Sequence, residues 1–383
     1  MLTSQQHGIK RVSLSAEAKR LKLEKDKSKI AHYKQLTENI FSLRNLQTYT
    51  VESLKETTQI LQINPEFYTM WNYRREIFEH LKNNIPVEDY AQLMDNDLKM
   101  LMVILKRFPK VYWIWNHRRW CLFELVKINR VDWQYEYAVV SKLLELDSRN
   151  YHGWQYRRFV VQNMQIQATT KAAPASKNEE SLVVLGINIE EFKYTTSKIN
   201  KNFSNFSAWH NRSTLIPKIY NLYLQLEAPS EKSPDVYDIF KSPRSILTHE
   251  LELIKTGMYM DSEDTSIWLY MWWLLTEKFF TDELRKEDGA YLAVLEEQLA
   301  NVEELNELEK SDHIYHWDNC WCLKTIILVK GLIQQEHVKT NKSSALLTQD
   351  IKNHIQALIE IDPLRKGKYL DQLEGKASII PIL

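Results

Sequence analysis

One twelve-residue frame occurs five times along the chain, and no other feature restricts the fold as much. It stands at NPEFYTMWNYRR (64–75), FPKVYWIWNHRR (108–119), DSRNYHGWQYRR (147–158), NFSNFSAWHNRS (202–213) and DSEDTSIWLYMW (261–272). The anchoring tryptophans are Trp71, Trp115, Trp154, Trp209 and Trp268, spaced 44, 39, 55 and 59 residues apart. The two wider gaps contain segments that read as loop insertions. One lies near 165–178 and is rich in Ala, Thr, Lys and Ser; the other lies near 228–243 and holds three prolines. The underlying unit is therefore about 40 residues, the length of a helix–turn–helix repeat. Only 8 glycines and 10 prolines occur in 383 residues. That is too few for the many tight turns of sandwiches and barrels, or for a glycine-rich nucleotide fold.

Each frame reads as the start of a helix. Asn64 before Pro65 suggests an N-cap followed by proline at the first helical position, and Asp147 and Asp261 suggest caps of the same kind. Amphipathic runs such as Trp133–Leu146 and Ile246–Ile254 supply the first helix of a pair. The pattern continues through Leu292–Leu308, Cys322–Leu332 and Leu346–Ile361. The expected architecture is all-α: a helical-hairpin solenoid over 31–383 as a single array, preceded by a basic N-terminal arm, 1–30. The tryptophan rings fill the space between layers. The pairs Arg74–Arg75, Arg118–Arg119 and Arg157–Arg158 admit two roles, a partly buried ion-pair ladder between repeats or a cationic surface for a partner.

Charge and cysteine content narrow the function. Lys+Arg and Asp+Glu are both 50, which lacks the basic footprint of a nucleic-acid binder. Three cysteines, Cys121, Cys320 and Cys322, make no disulfide framework and suit a reducing compartment. The N-terminus has no apolar signal core, and the most apolar stretch, Trp268–Leu275, is far short of the roughly 20 residues of a membrane span. The expected location is cytoplasmic. Cys320 and Cys322 with His313 and His316 lack the spacing of a structural zinc site, so no metal is expected on this chain. His117, His152 and His210 fall at different frame positions and form no repeating ligand set; His152, beside Tyr151, is placed to face a partner. No Walker loop, dinucleotide fingerprint or Ser-His-Asp order occurs. Residues 1–30 carry eight Lys/Arg against three Asp/Glu, and 282–312 carry eleven Asp/Glu against three Lys/Arg. Either run is a solvated face or a docking surface.

Five residues before each tryptophan stand Glu66, Lys110, Arg149, Ser204 and Glu263; three before stand Tyr68, Tyr112, Tyr151, Phe206 and Thr265. Only the second and third repeats pair a cation with a tyrosine. Lys110 and Arg149 are expected in the first turn of their helices. There the macrodipole disfavours a cation while free N–H groups suit an anion, so a bound anion satisfies both.

The five frames resemble the repeat of the protein prenyltransferase α-subunit family, Pro-x-x-Tyr-x-x-Trp-x-x-Arg, over roughly residues 32 to 373. Three features resemble the Rab (type II) geranylgeranyltransferase branch: His7–Arg11 followed by Ala16–Arg20, Tyr156–Val160, and Asp362–Arg365 with Tyr369–Asp371. The sequence ends without the leucine-rich-repeat and immunoglobulin-like additions of animal relatives, so the functions of those parts are not expected. The resemblance implies a right-handed solenoid in an obligate heterodimer with a prenyltransferase beta subunit, which holds the catalytic zinc and most of the isoprenoid pocket. It implies transfer of geranylgeranyl from geranylgeranyl diphosphate to C-terminal cysteines of Rab GTPases presented by an escort protein. Lys110 and Tyr112 match the family's second-repeat Lys-x-Tyr at the isoprenoid diphosphate, and Tyr151 matches the third-repeat tyrosine. Lys110 is thereby the expected catalytic cation, with Tyr112 and Tyr151 as hydrogen-bond donors; Arg149 rests on the repeat argument alone. Two alternatives remain: a farnesyl or type I geranylgeranyl α-subunit acting on Ca-a-X tails, and a non-catalytic helical scaffold. They part on the Lys110/Arg149 pair, on residues 7–20 and on tail specificity.

Overall fold

The computed structural model of the chain describes residues 15–171, 177–226, 234–339 and 347–380, and every regular element in them is helical. Contacts divide the chain into two compact units, Met1–Gln167 and Ala168–Leu383. The first holds α1 (Ala16–Asn45), α2 (Val51–Ile63), α3 (Tyr68–Lys82), α4 (Val87–Arg107), α5 (Tyr112–Lys127), α6 (Trp133–Leu146) and most of α7 (Tyr151–Lys171). The second holds α8 (Lys177–Lys201), α9 (Phe206–Leu224), α10 (Pro234–Phe240), α11 (Pro243–Met260), α12 (Thr265–Thr276), α13 (Lys278–Leu284), α14 (Ala290–Asp312), α15 (Cys320–Lys339), α16 (Gln349–Ile361) and α17 (Lys366–Leu373). Within the units, α2 packs on α3, α4 on α5, α8 on α9, α11 on α12 and α14 on α15. The expected all-α array of hairpins is what each unit contains.

Three expectations about boundaries change. Residues 1–14 of the expected arm lie outside the described residues, but α1 starts at the Ser15 cap and runs unbroken past residue 30. The insertion near 165–178 is helical up to Lys171 and again from Lys177, and much of the one near 228–243 forms α10; residues 172–176 and 227–233 lie outside the described residues. Two of the three prolines that suggested a loop, Pro234 and Pro243, are instead the first residues of α10 and α11, where a missing N–H costs nothing. The third change concerns the frame itself. Its helix starts three residues before the tryptophan, not at the first residue. Asn64, Asp147 and Asp261 end α2, α6 and α11. Their side chains accept from the N–H two residues on, in Glu66, Arg149 and Glu263, at 3.1, 3.3 and 3.2 Å. Asn and Asp serve such a turn as readily as a helix cap, so the sequence signal was ambiguous.

The tryptophans do more than fill space. Each indole N–H donates to the carbonyl six residues earlier: Trp71 to Pro65 at 2.8 Å, Trp115 to Pro109 at 3.0 Å, Trp154 to Ser148 at 2.9 Å, Trp209 to Phe203 at 2.7 Å and Trp268 to Ser262 at 2.8 Å. A buried ring thus satisfies its own polar edge by closing the turn that joins the two helices. The same turn recurs once more without the tryptophan. In α15, Asn319 accepts from the N–H groups of Trp321 and Cys322 at 2.8 and 3.1 Å. In α7, Asn150 accepts from His152 and Gly153 at 3.0 and 3.3 Å. Leu323 then stands where Trp154 stands, so α14 and α15, which contain the expected runs Leu292–Leu308 and Cys322–Leu332, are a sixth hairpin without a tryptophan of its own.

The repeats are locked by buried triads. Arg118 Nε and Nη2 donate to Glu136 at 2.9 and 2.6 Å, and Tyr156 O–H donates to the same carboxylate at 2.6 Å. Arg212, Glu250 and Tyr270 repeat this at 2.6, 2.7 and 2.7 Å. Arg74, Asp97 and His117 form the third triad, with His117 Nε2 2.8 Å from Asp97. In each, the acid sits eighteen residues before the next tryptophan. It lies on the first helix of one hairpin and binds the arginine of the hairpin before.

His117 gives the triad of Arg74 a pH dependence. Arg75 Nε donates to its Nδ1 at 3.3 Å, so the proton is on Nε2 and points at Asp97. Burial pushes the His117 pKa below its ordinary value, while Arg74 and His117 hold the Asp97 carboxyl well below the usual carboxylate range against the opposing effect of burial. The unfolded chain therefore takes up the imidazole proton first, near pH 6.5. Stability from this group is complete above that pH and declines as pH falls. The thermal midpoint should drop between pH 7.5 and 5.5, and His117→Gln, which keeps a donor and an acceptor, should flatten that slope; His152 and His249, also lowered by burial, leave a residual one.

Candidate functional site

The candidate residues sit on two neighbouring turns, 108–111 between α4 and α5 and 147–150 between α6 and α7. One carbonyl joins them. Pro109 accepts the Trp115 indole N–H at 3.0 Å and also the Asn150 side-chain amide at 3.0 Å. Asn150 is buried, and its oxygen meanwhile caps α7. Lys110, next to Pro109, and Tyr151, next to Asn150, are thereby held at one place by the backbone. Asn150 was not singled out in the sequence, although an amide directly before the repeat tyrosine is a visible signal.

Lys110 and Arg149 are both exposed. Contrary to the expectation, neither lies in the first turn of its helix; each stands two residues before it, in the turn. This changes the electrostatics. The cations lie off the helix end rather than within it, so the dipole penalty is smaller, while the open N–H groups remain. The helix ends also differ. Asn150, Asn205 and Asp264 accept from the first-turn N–H groups of α7, α9 and α12. The starts of α3 and α5 have no side-chain cap. Among the five frame helices α3, α5, α7, α9 and α12, only α5 combines an uncapped start with a cation two residues before it, since the turn before α3 carries Glu66 at that position. Lys110 therefore has the stronger case and Arg149 the weaker one.

The repeat aromatics are exposed: Tyr68 55%, Tyr112 50%, Tyr151 63% and Phe206 52%. In the first unit their rings form a continuous strip. Tyr68 lies 5.5 Å from Trp113, Trp113 lies 6.3 Å from Tyr112, and His152 lies 5.7 Å from both Tyr112 and Tyr151. His152 thus bridges the two tyrosines the sequence picked out. Burial lowers its pKa, so at neutral pH the ring is uncharged. Between Tyr112 and His152 there is a notch of about 20 Å³, lined also by Asn116, Arg119 and Gln155, which is the room of about one water. The surface offers a cation, two phenol donors and backbone N–H groups on one side only. It can hold an anion against a second body and cannot enclose a ligand alone. In the second unit the corresponding positions carry no cation, and Ser204 is bonded to Asp264.

Metal-ligating side chains converge once among the described residues, at Asp97, His117 and Cys121. Their lone pairs are committed: Arg74 donates twice to Asp97, and Arg75 donates to His117. The set does not fit a metal and belongs to the packing triad. Cys320 lies 3.6 Å from Asp362, and burial pushes the Cys322 thiol up to about 12, so neither offers a thiolate. No helix among the described residues is long and apolar enough to cross a membrane.

The family model of the protein prenyltransferase alpha subunit repeat matches residues 51–81, 94–125, 133–164, 189–219 and 247–278, the hairpins that carry the five tryptophans. The chain is 51% identical over 383 residues to the geranylgeranyl transferase type-2 subunit alpha of Candida albicans, covering 98% of this chain and 99% of that one. It is 36% identical to the subunit of the same name from Saccharomyces cerevisiae, covering 96% and 99%. The Rattus norvegicus subunit is 36% identical over 70% of this chain, which spans 41% of its length. Among solved structures, the Candida albicans protein geranylgeranyltransferase-I complexed with GGPP is similar in fold, with a TM-score of 0.58, 18% identity and 91% of each chain covered.

Proposed function

The chain belongs to the protein prenyltransferase alpha subunit family, and from that premise we propose that it is the alpha chain of a type-2 geranylgeranyltransferase. It works as a heterodimer with a beta subunit and transfers geranylgeranyl from its diphosphate to C-terminal cysteines of Rab GTPases brought by an escort protein. The observation that carries this reading is the 51% identity extending over almost the whole of both chains.

In the reaction the allylic C–O bond breaks, a thiolate sulfur forms the new C–S bond, and diphosphate departs with the negative charge. Thiol activation is the chemistry of zinc held by the beta subunit; this chain's part lies on the leaving-group side. The Lys110 ammonium faces the diphosphate and stabilises the charge that develops on it. Tyr112 and Tyr151 donate their phenol protons as hydrogen bonds, and the uncapped start of α5 adds backbone N–H groups. Asn150 holds both turns in register through Pro109. Arg149 adds a second positive charge at the rim. The one-sided geometry supports this division of labour, because such a surface acts only when the partner covers it.

Recovery of the tagged chain from cells, with bound proteins identified by mass spectrometry, tests the partnership. A helical-barrel beta subunit together with an escort protein is the expected result. A barrel subunit with Ca-a-X specificity and no escort contradicts the Rab assignment, and absence of any such subunit contradicts the enzyme.

A further inference from the structure

The two arginines that end each frame of the first unit have opposite surroundings. The first of each pair is buried and satisfied: Arg74 by Asp97, Arg118 by Glu136, and Arg157 by Ser141 and Tyr137 at 2.8 and 2.6 Å. The second, Arg75, Arg119 and Arg158, is half-buried, and among the described residues no Asp or Glu forms an ion pair with it. Arg75 leans on the next repeat, its guanidinium 5.9 Å from the Trp120 ring. Arg119 does the same one repeat on, 4.7 Å from Phe159. Its Nε is buried without a hydrogen-bond partner, and its side chain lines the notch beside Asn116 and Gln155. Arg158 stands at the same register, with Tyr151 as its electrostatic neighbour. Burial lowers the pKa of Arg75 and of Arg158; Cys121 and Glu79 oppose this weakly at Arg75.

Partly desolvating a guanidinium without a counter-charge is unfavourable for the chain alone. Three adjacent repeats do it at the same position. The fourth and fifth, with Ser213 and Trp272 there, do not. Equivalent positions in stacked repeats fall on one line. With helices about 10 Å apart, three positions span roughly 20 Å, beyond the reach of one small anion. Arg75 and Arg119 each lean on one ring of the next repeat, and a half-buried guanidinium still presents its planar fork to a carboxylate from outside.

We propose that Arg75, Arg119 and Arg158 form a docking line for the partner subunit, which meets each of them with an Asp or Glu carboxylate. This rests on the heterodimer reading above. The occupant is argued from charge: the line is cationic, uncompensated and too long for the diphosphate.

The test uses the co-expressed heterodimer with the beta subunit, its dissociation constant measured by dilution at several salt concentrations. For the unaltered complex, affinity should fall by about tenfold or more between 50 and 500 mM salt. Arg75→Gln and Arg158→Gln should each weaken the complex by about tenfold, and the double variant by about a hundredfold with a shallower salt dependence. Arg→Lys at both sites should recover part of the loss, because the charge remains while the planar fork is lost. The proposal is overturned if the unaltered complex is indifferent to salt, a result that needs no variant to fold, or if the double Gln variant binds within about threefold of the original. If the unaltered chain binds no beta subunit at all, the heterodimer reading fails first, which is a separate outcome.

Discussion

Lys110→Ala is expected to lower kcat for lipid transfer by about 10²- to 10³-fold in the assembled heterodimer, the scale of one lost preorganised electrostatic contact. Lys110 is exposed, so truncation leaves no cavity and the fold should persist. The charge it faces grows as the diphosphate departs, so the loss should appear in kcat more than in KM for the lipid. Lys110→Arg should retain part of the activity. Arg149→Ala should cost much less, since Asn150 already occupies the N–H groups at the start of α7. The measurement is single-turnover transfer with the dimer verified intact. A kcat within about threefold of the original would remove Lys110 from the mechanism.

The second large effect is on stability. Glu136 accepts from two nitrogens of Arg118 and from Tyr156, and Arg118 is 1% exposed. Glu136→Ala leaves that guanidinium with the Leu98 carbonyl at 2.8 Å and the Tyr156 hydroxyl at 3.2 Å, and no carboxylate. The expected cost is about 3–5 kcal/mol, a fall in the apparent thermal midpoint on the order of 10 °C. Replacing the pair together, Arg118→Met with Glu136→Leu, should recover most of it, because the penalty comes from the orphaned charge rather than from the lost attraction. A midpoint that barely moves in Glu136→Ala would mean the triads do not lock the repeats. The chain already carries an apolar version of this position: the fifth frame has Met271 where the others have arginine.

The fold was legible because its strongest signal, a large aromatic every 40 to 60 residues, is also the residue that closes each turn. The hairpin boundaries were less so. Asn64-Pro65 reads equally as a helix start or an Asx turn, and only the hydrogen bond from Glu66 decides for the turn. That shift moved Lys110 and Arg149 off the helix, leaving Lys110 beside an open helix end and Arg149 beside a capped one. The acids of the triads were missed although their offset from the next tryptophan is constant. Asp97, Glu136 and Glu250 lie in amphipathic helices among many other charges, and nothing local distinguishes a buried carboxylate from a solvated one. The arginine pairs were left open between a ladder and a surface; the first of each pair proves buried, with Arg74 and Arg118 in ion pairs, and the second is half-buried. His152 was visible beside Tyr151, but its place between Tyr112 and Tyr151 depends on how successive hairpins stack, and that is a tertiary fact.

The most direct test of the central claim is transfer of labelled geranylgeranyl from its diphosphate by the heterodimer of this chain with its beta subunit. A Rab protein delivered by escort protein is compared with a free Ca-a-X peptide. The account predicts label on the Rab C-terminal cysteines, dependent on the escort and on Lys110, and little on the peptide. Efficient labelling of the peptide without an escort, or Rab labelling that Lys110→Ala leaves unchanged, would contradict it.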